Sequence, residues 1–391
     1  MKERLQLVSL YETGRYTVME LAEHLGISRK TAHKWLRRFA DEGASGLSER
    51  SRAPHRRPRA TPAEVVLAVV RAKQAHPTWG PAKLAPCPDE APEIGKAWPA
   101  VSTRGRILSQ QGLVIRRKRR RRSTPWLAPF LLADSPNNVW CADFKGWIRT
   151  DDGTRCDPLT ISDACTRMFL GCQILTRADY AHVRPVFERV FRDYGLPLAM
   201  RTDNGPPFAS TGAGGLSPLS VWWLKLGIIP ERIEPGHPEQ NGRHERLHRT
   251  LKRETMQPPA STPQAQQERC DDFLLLYNRE RPHEALGQVP PASLYVPSPR
   301  PYPERLGDIE YPPLTEVRRV RSNGQIKWHG GVVFVSESLV GELVGITEDR
   351  EGWLVSFGPI PLGLMHPHCS SLSPFPANPS HRRRQKCNQC V

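Results

Sequence analysis

The order of predicted strands and helices between residues 138 and 245 limits the fold more than any other feature of the sequence. An amphipathic helix is predicted over 181–194, where apolar residues recur at helical spacing up to Gly195. Strands are predicted on either side of it, at 138–147, 158–163, 167–175 and 196–202. Strands followed by a strand–helix alternation are typical of an α/β sheet with mixed pairing.

Joints rich in proline or arginine divide the chain. Proline makes up 39 of the 391 residues, about twice its usual share of about 5%. The three joints lie at 51–62, 123–138 and 297–315. They predict a short N-terminal unit, a second helical unit, a central block and a small C-terminal block.

The charge balance favours a polyanionic partner. The chain has 56 Lys and Arg against 40 Asp and Glu, a formal net charge of +16, and nucleic acid is the commonest polyanion. No apolar run approaches the roughly 18 residues of a membrane helix, and the start Met1-Lys2-Glu3-Arg4 lacks a signal peptide's apolar stretch. We therefore expect a cytoplasmic protein with no membrane partner and nine reduced cysteines.

The first 50 residues predict a helix-turn-helix. Val18, Leu21 and Leu25 follow helical spacing, Gly26 breaks it, and Ser28 is a good N-cap for a second helix. This arrangement is typical of a DNA-binding motif whose second helix enters the major groove; the alternative is an ordinary helical hairpin. The candidate DNA contacts on the second helix are Arg29, Lys30, His33, Lys34 and Arg37.

The second unit combines helices with a basic run. A helix is predicted from Thr61-Pro62 to about His76, and another is predicted to begin at a Ser102 cap and end at Gly112. Seven consecutive cations follow at 116–122. Such a block repels itself and is expected to track a phosphate backbone, unless it is a solvated spacer. Its candidate DNA contacts are Arg116, Arg117 and Lys118.

Three carboxylates in the central block are candidate metal ligands. Asp143 lies within the first predicted strand, Asp203 begins an Asp-Asn-Gly turn at the end of the fourth, and Glu245 lies on a helix predicted from Pro238 onward. Carboxylate oxygens suit Mg²⁺ or Mn²⁺, and two such ions support phosphoryl transfer. Glu239 is the rival for the third position.

Four motifs in order carry a family resemblance. They are Trp140-x-x-Asp143, the run 201–205 (Arg-Thr-Asp-Asn-Gly), the run 235–246 (Pro-Gly-His-Pro-Glu-Gln-Asn-Gly-Arg-His-Glu-Arg) and the Tyr277-Asn278-x-x-Arg281-Pro282-His283-Glu284 run. Together they resemble the integrase catalytic core, and more closely bacterial insertion-sequence transposases with that core. The resemblance extends from the helix-turn-helix to about residue 360.

The resemblance implies a ribonuclease H-like core with a catalytic Asp-Asp-Glu triad holding two Mg²⁺ or Mn²⁺ ions. The resemblance implies that Asp143, Asp203 and Glu245 are the catalytic residues and metal ligands, and it selects Glu245 over Glu239 because the family's acid follows Asn-Gly by three residues. The resemblance further implies a polynucleotidyl transferase that cleaves double-stranded DNA at the element's terminal repeats and joins it to target DNA. It implies a homo-oligomer on DNA in the nucleoid. The helix face of Glu245 is expected to meet DNA through His248, Arg249 and Lys252.

The predicted organisation is therefore multidomain, with all-α helix-turn-helix units, a central α/β core and a small C-terminal β domain. The boundaries are 1–50 for the helix-turn-helix, 61–122 for the second helical DNA-binding region with its basic linker, 133–297 for the integrase core, 313–363 for the β domain and 364–391 for a disordered tail. A mobile loop over the active site is expected at 208–221, and zinc binding by the tail cysteines is disfavoured.

The β domain is expected to be a small barrel with a hairpin at Asn323-Gly324. Its expected apolar residues are Trp328, Val332, Phe334, Val344, Trp353 and Val355. Irregular stretches at 86–96 and 364–391 leave open a decayed copy that acts as an inert DNA-binding regulator. A structure-specific nuclease on the same fold is the other alternative.

Overall fold

The computed structural model describes residues 2–50, 60–85, 98–114, 133–233, 242–366 and 370–373. They divide into a unit that ends at Ala63 and a unit from Glu64 onward. The N-terminal unit has three helices, α1 (Lys2–Glu12), α2 (Val18–His24) and α3 (Arg29–Glu42). Its core is apolar and includes Leu7, Leu21, Ala32, Trp35 and Leu47.

Local capping explains where the two predicted helices of this unit begin. Thr17 and Glu20 form a capping box at α2, and the Ser28 hydroxyl accepts from the Thr31 amide at 3.2 Å at the start of α3. The predicted helix-turn-helix and its Ser28 cap are therefore confirmed. The sequence interpretation missed α1, because its apolar residues do not form a clear stripe.

Two helices follow, α4 (Ala63–Ala75), which lies in the second unit except for its first residue, and α5 (Val101–Gln110). They pack around Val69, Trp79 and Ile107. The predicted Ser102 cap is wrong. The N-cap is Ala100, directly after Pro99, so Ser102 lies inside the first turn of α5.

A six-stranded sheet forms the centre of this unit. Its strands are β1 (Val139–Phe144), β2 (Ile148–Arg149), β3 (Arg155–Asp163), β4 (Phe169–Leu175), β5 (Ala199–Thr202) and β6 (Ile229–Arg232). β1 pairs antiparallel with β3 and parallel with β5, which also pairs parallel with β6. The predicted mixed sheet is confirmed. The prediction of one strand over 138–147 is wrong, because the chain turns at Gly146, whose φ is +84°, before β2.

Helices cover both faces of the sheet. On one face, α6 (Tyr180–Tyr194) and α7 (Pro218–Lys225) bury Phe187 and Trp223 against Trp140 of β1. On the other face, α8 (Gly242–Thr255) and α9 (Pro263–Arg279) bury apolar side chains against β3 and β4. The predicted helix start at Pro238 lies outside the described residues.

The segment 208–221 differs from its prediction as a loop over the active site. Phe208 and Leu219 are buried in the core, Ala209 pairs with Leu216, and α7 begins at Pro218 behind a Ser217 cap. Leu216 and Val221 also contact the C-terminal core. The loop prediction is therefore wrong, because the apolar side chains of this segment pack into two cores.

The C-terminal strands form two antiparallel sheets. The larger has the order β12 (Ile360–Met365), β11 (Gly352–Phe357), β10 (Leu343–Asp349) and β7 (Glu316–Arg319), and the smaller pairs β8 (Gln325–Trp328) with β9 (Gly331–Phe334). The expected small barrel is thus an antiparallel sheet with a separate hairpin. Val332 and Phe334 are exposed, contrary to their predicted core positions.

The hairpin turn also differs from the prediction at Asn323-Gly324. These residues connect β7 to β8, which lie in different sheets. The turn that joins paired strands is His329-Gly330, with φ values of +44° and +82°. Two positive φ angles suit a two-residue hairpin, and Asn323 does not adopt one. The disordered tail predicted from residue 364 is wrong at its start, because Leu364 and Met365 belong to β12 and Ser373 pairs with Leu364. Residues 367–369 and 374–391 lie outside the described part of the chain.

No helix within the described residues combines the length and apolar character needed to cross a membrane.

Candidate active site

Sheet register places Asp143 beside Asp203. In the parallel β1–β5 ladder, Cys141 is the partner of Arg201. Asp143 lies two residues further along β1 and Asp203 directly follows the end of β5, so both stand at the same end of the sheet, where neighbouring strands are about 4.8 Å apart. Both side chains are half-buried. The Asp203 carboxylate also accepts from the Gly205 amide at 3.2 Å, which fixes the turn after β5.

Glu245 reaches this region from a different element. It is exposed in the first turn of the described part of α8. One turn later, His248 Nδ1 lies 3.9 Å from Asp143 Oδ2, so α8 is docked directly against the Asp143 end of β1. Glu245 lines a cavity of about 440 Å³ with Lys145, Arg249 and Lys252. The rival Glu239 lies outside the described residues.

The three carboxylates have the donor atoms that a divalent metal prefers, but they are not arranged around a common point. Asp143, Asp203 and Glu245 offer only carboxylate oxygens, the donors that Mg²⁺ and Mn²⁺ prefer. However, no three Asp, Glu, His or Cys side chains converge on one point anywhere in the described residues. Asp143, Asp203 and Glu245 therefore do not form a converged three-ligand metal site in the described part of the chain.

A buried network of two histidines, which the sequence interpretation missed, supports Asp143. The Thr160 hydroxyl donates to the Asp143 carbonyl at 2.9 Å and contacts Nε2 of His244 at 2.6 Å and of His248 at 2.7 Å. Because the hydroxyl proton goes to Asp143, both rings donate from Nε2. Ser162 lies 3.1 Å from His244 Nδ1 and donates to it. The signal in the sequence is the i, i+4 pair of histidines on one helix face.

Burial keeps both histidines neutral. It lowers the pKa of His244 to about 3 and, together with the neighbouring His244 and Lys145, the pKa of His248 to about 2. His248 is only 7% exposed, so its ring serves the interior contact between α8 and β3. The DNA contact predicted for His248 does not fit this position. Arg249 and Lys252 of the same face are exposed.

Cations surround Glu245. Burial and the nearby Lys252 lower the pKa of Lys145, whereas Asp143 opposes that change. Lys145 thus lies between the carboxylate of Asp143 and the positive face of α8. This arrangement can neutralise phosphates that approach the carboxylates.

In the N-terminal unit, α3 presents the predicted cationic face to solvent. Arg29, Lys30, His33, Lys34 and Arg37 are all exposed, whereas Ala32 and Trp35 face the core. The predicted contacts Arg116, Arg117 and Lys118 lie outside the described residues, as do the cysteines of the tail.

The motif at 277–284 joins α9 to the sheet and to α8. Asn278 bonds both the amide and the carbonyl of Phe169 at 2.8 Å. Arg281 forms a buried ion pair with Glu254 of α8 at 2.7 Å. Tyr277 is buried with its ring edge-on to His283. These contacts explain why the motif needs those residue types at that spacing.

Comparisons with protein families identify two kinds of domain. Residues 133–238 and 226–291 each match a family described as the integrase core domain. Residues 3–55 match a helix-turn-helix domain, and residues 31–108 match a homeodomain-like domain. Along the chain, a region that matches helix-turn-helix families is therefore followed by a region that matches the integrase core domain.

Two curated relatives are proteins of bacterial insertion elements. The chain is 30% identical over 189 residues to the uncharacterized 39.2 kDa protein of insertion element IS476 from Xanthomonas euvesicatoria. It is 29% identical over 189 residues to the uncharacterized 31.7 kDa protein of insertion element IS407 from Burkholderia multivorans. Each match covers 48% of this chain, and the chain spans 53% and 66% of the two relatives.

Among solved structures, the chain resembles the HTLV-2 integrase catalytic core domain in complex with magnesium. The identity is 15%, the TM-score is 0.32, and the match covers 41% of this chain and 98% of that one.

Proposed function

We propose that this chain, in which a helix-turn-helix region precedes an integrase core, is a DNA transposase that moves an insertion element. The observation that carries the proposal is the placement of Asp143 and Asp203 at the same end of two adjacent parallel strands, with the Glu245 helix docked against Asp143. The similarity to insertion-element proteins supports it.

The proposed chemistry consists of two phosphoryl transfers. Water first attacks a phosphodiester at the element end and releases a 3′-hydroxyl. That hydroxyl then attacks a phosphodiester of the target DNA, so that one P–O bond forms for each one broken. Asp143, Asp203 and Glu245 would hold two Mg²⁺ or Mn²⁺ ions, which when bound activate the attacking oxygen and stabilise the leaving one.

The chain's own residues would position the DNA and the carboxylates. Arg249, Lys252 and Lys145 are placed to neutralise phosphates beside Glu245. His244 and His248 hold Thr160 against the Asp143 carbonyl and thereby hold α8 on β1. Because both rings are neutral, they add no charge beside the carboxylates.

Recognition of the element ends belongs to α3. Arg29, Lys30 and His33 near its N-terminal end would reach base edges in the major groove, and Lys34 and Arg37 would meet phosphates. Arg116, Arg117 and Lys118 would follow the DNA backbone. Because two ends must be brought together, we propose a homo-oligomer on DNA, acting in the nucleoid.

A strand-transfer assay tests this function. The full chain is mixed with Mg²⁺, labelled DNA from the element's own ends and a target plasmid. We expect joined product from the wild type and none from Asp203→Asn, which removes a metal ligand but leaves α3 intact. Asp193→Asn, an exposed carboxylate on α6, is the matched control and should join at the wild-type rate.

A second candidate function is that of an inert regulator that occupies element ends. The absence of a converged three-ligand cluster in the described residues favours it. The regulator would be established by two results together: wild type and Asp203→Asn bind end DNA equally well, and the wild type neither cuts nor joins DNA. Cutting without joining would instead indicate a nuclease.

A further inference from the structure

A second cavity lies on the opposite side of α8 from Glu245. Its volume is about 200 Å³, and its wall includes Lys83, Arg167, Arg243, Arg246 and Arg281. On a helix of 3.6 residues per turn, Arg243 lies about 160° and Arg246 about 100° around the helix axis from Glu245. The cavity is therefore distinct from the candidate active site, although both use α8.

The charges on the cavity wall are not balanced. Arg281 is paired with Glu254. The other four cations share the wall with one carboxylate, Glu284. Within the described residues, two of these four cations donate to carbonyl oxygens: Lys83 to that of Pro282, and Arg243 to that of Ala164 at 3.0 Å. Such contacts leave the positive charges unneutralised.

Two buried nitrogen atoms on this wall have no hydrogen-bond partner among the residues that the structure describes. They are Nη1 of Arg167 and Nε2 of His283. Buried polar groups in folded proteins are nearly always hydrogen-bonded, so the unpartnered donor of Arg167 in a polar cavity indicates a missing acceptor. Nε2 of His283 adds a second donor when that nitrogen carries the ring proton. Arg167 reaches the wall from the turn before β4, and His283 comes from the segment after α9.

The pKa values of two cations in the cavity are lowered, as expected when positive charges repel one another. Burial and the neighbouring Arg281 lower the pKa of Lys83 to about 8. Burial and Arg243 lower the pKa of Arg167. An anion in the cavity would reverse both effects, because it favours the charged form of each side chain.

We propose that this cavity is a phosphate-binding site. Arginine binds phosphate through two parallel N–H donors, and the wall offers several such groups within a space that suits one phosphate group. The wall offers no free aromatic face for a base, because its Tyr277 is buried with its ring edge-on to His283. Tyr277, Arg281 and His283 of the 277–284 motif line this cavity, so the proposal also gives that motif a ligand-binding role.

The source of the phosphate is either the DNA backbone or a free phosphate. The DNA source rests on the proposed function. A strand that crosses the first turns of α8 would meet Glu245 on one side and Arg243 and Arg246 on the other. One phosphodiester held here would fix the strand relative to the carboxylates.

Thermal unfolding of the full chain with inorganic phosphate tests the site, with chloride at matched ionic strength as the reference. We expect phosphate to raise the melting temperature beyond chloride, because a ligand bound to the folded state stabilises it. The double variant Arg243→Gln/Arg246→Gln removes two exposed cations and should bind phosphate at least about tenfold more weakly. The matched control is Arg269→Gln/Arg279→Gln, which removes two exposed cations of α9 outside the cavity and should behave as wild type. Equal phosphate binding by both double variants would overturn the proposal.

A competition experiment identifies the source. If the DNA backbone occupies the site, phosphate should weaken binding of duplex DNA more than chloride does, and Arg243→Gln/Arg246→Gln should lose that excess. Phosphate binding without competition would support the site with free phosphate as its ligand. Asp203→Asn should bind phosphate normally. Strand transfer without phosphate binding would overturn this site alone, and phosphate binding without strand transfer would overturn the proposed function alone.

Discussion

At the scale of single residues, burial decides the protonation of histidines in the core. His244 is fully enclosed between α8 and β3, and His283 lies in the second cavity among cations. Burial lowers the pKa of each to about 3, with Lys83 and Arg281 contributing at His283. Neither effect is visible in the sequence, because each depends on segments distant along the chain.

These shifts predict a loss of stability in acid. A histidine in the unfolded chain has a pKa of about 6.5. Below that pH the unfolded state binds protons that the folded state does not, so stability decreases as the pH falls from about 6.5 towards 3. Each such histidine contributes up to about 1.4 kcal/mol per pH unit to the free energy of unfolding.

Urea unfolding between about pH 7 and 4 measures this dependence. In His283→Asn, the free energy of unfolding should fall less steeply with decreasing pH than in the wild type, by up to the roughly 1.4 kcal/mol per pH unit that one histidine contributes. His33→Asn, which changes an exposed histidine of α3, should leave the slope unchanged. Identical slopes for the wild type and His283→Asn would contradict the prediction.

At the scale of secondary-structure elements, one glycine sets the passage from α6 to the strand that leads to Asp203. Gly195 has a φ of +77° and caps the end of α6. A Cβ at this position would lie 2.7 Å from the carbonyl oxygen of Ser298 and 2.8 Å from that of Arg300. Only glycine satisfies both the left-handed conformation and the close backbone approach.

Gly195→Ala should therefore destabilise the core more than an ordinary left-handed glycine substitution. Gly287→Ala is the control, because Gly287 has a φ of +72° but nothing within 4 Å of the added carbon. Both changes carry backbone strain: about 1–2 kcal/mol at Gly287, which is in the left-handed helical region, and about 1–3 kcal/mol at Gly195, whose ψ of −171° lies in a region that glycine alone adopts readily. Gly195→Ala adds the cost of overpacking, about 1–3 kcal/mol. Urea unfolding compares them, and equal losses would show that the backbone contact is unimportant.

At the scale of the whole molecule, the net charge of +16 is distributed over several basic surfaces. Cations line α3, the Glu245 face of α8 and the second cavity. DNA that engages these surfaces releases counterions in proportion to the phosphates neutralised. Affinity for DNA should therefore fall steeply with salt.

The contribution of α3 can be measured from that salt dependence. Lys34→Gln/Arg37→Gln, which removes the two cations of α3 expected to meet phosphates, should reduce the slope of log affinity against log salt by up to about 1.8, because each neutralised phosphate contributes about 0.9. Lys2→Gln/Arg15→Gln removes two exposed cations of the same unit away from α3 and should leave the slope near the wild-type value. The salt titration would refute a DNA-binding role for α3 if both double variants gave the same slope.

Much of the architecture follows from the sequence alone. Helical spacing and Ser28 predict α2 and α3, strand-like runs predict β3 and β4, and Gly195 predicts the end of α6. These features depend on neighbours a few residues apart, so local preferences specify them. Where packing competes with local pattern, the predictions fail, as at the Ser102 cap and the segment 208–221.

Only the tertiary structure decides which distant residues lie next to one another. The β1–β5 register puts Asp143 beside Asp203, the docking of α8 encloses His244 and His248, and the second cavity combines Lys83 with side chains up to 200 residues away. The motifs identify the residue types that the chemistry needs. Their distances, burial and protonation arise from long-range pairing and packing, which no short stretch of sequence encodes.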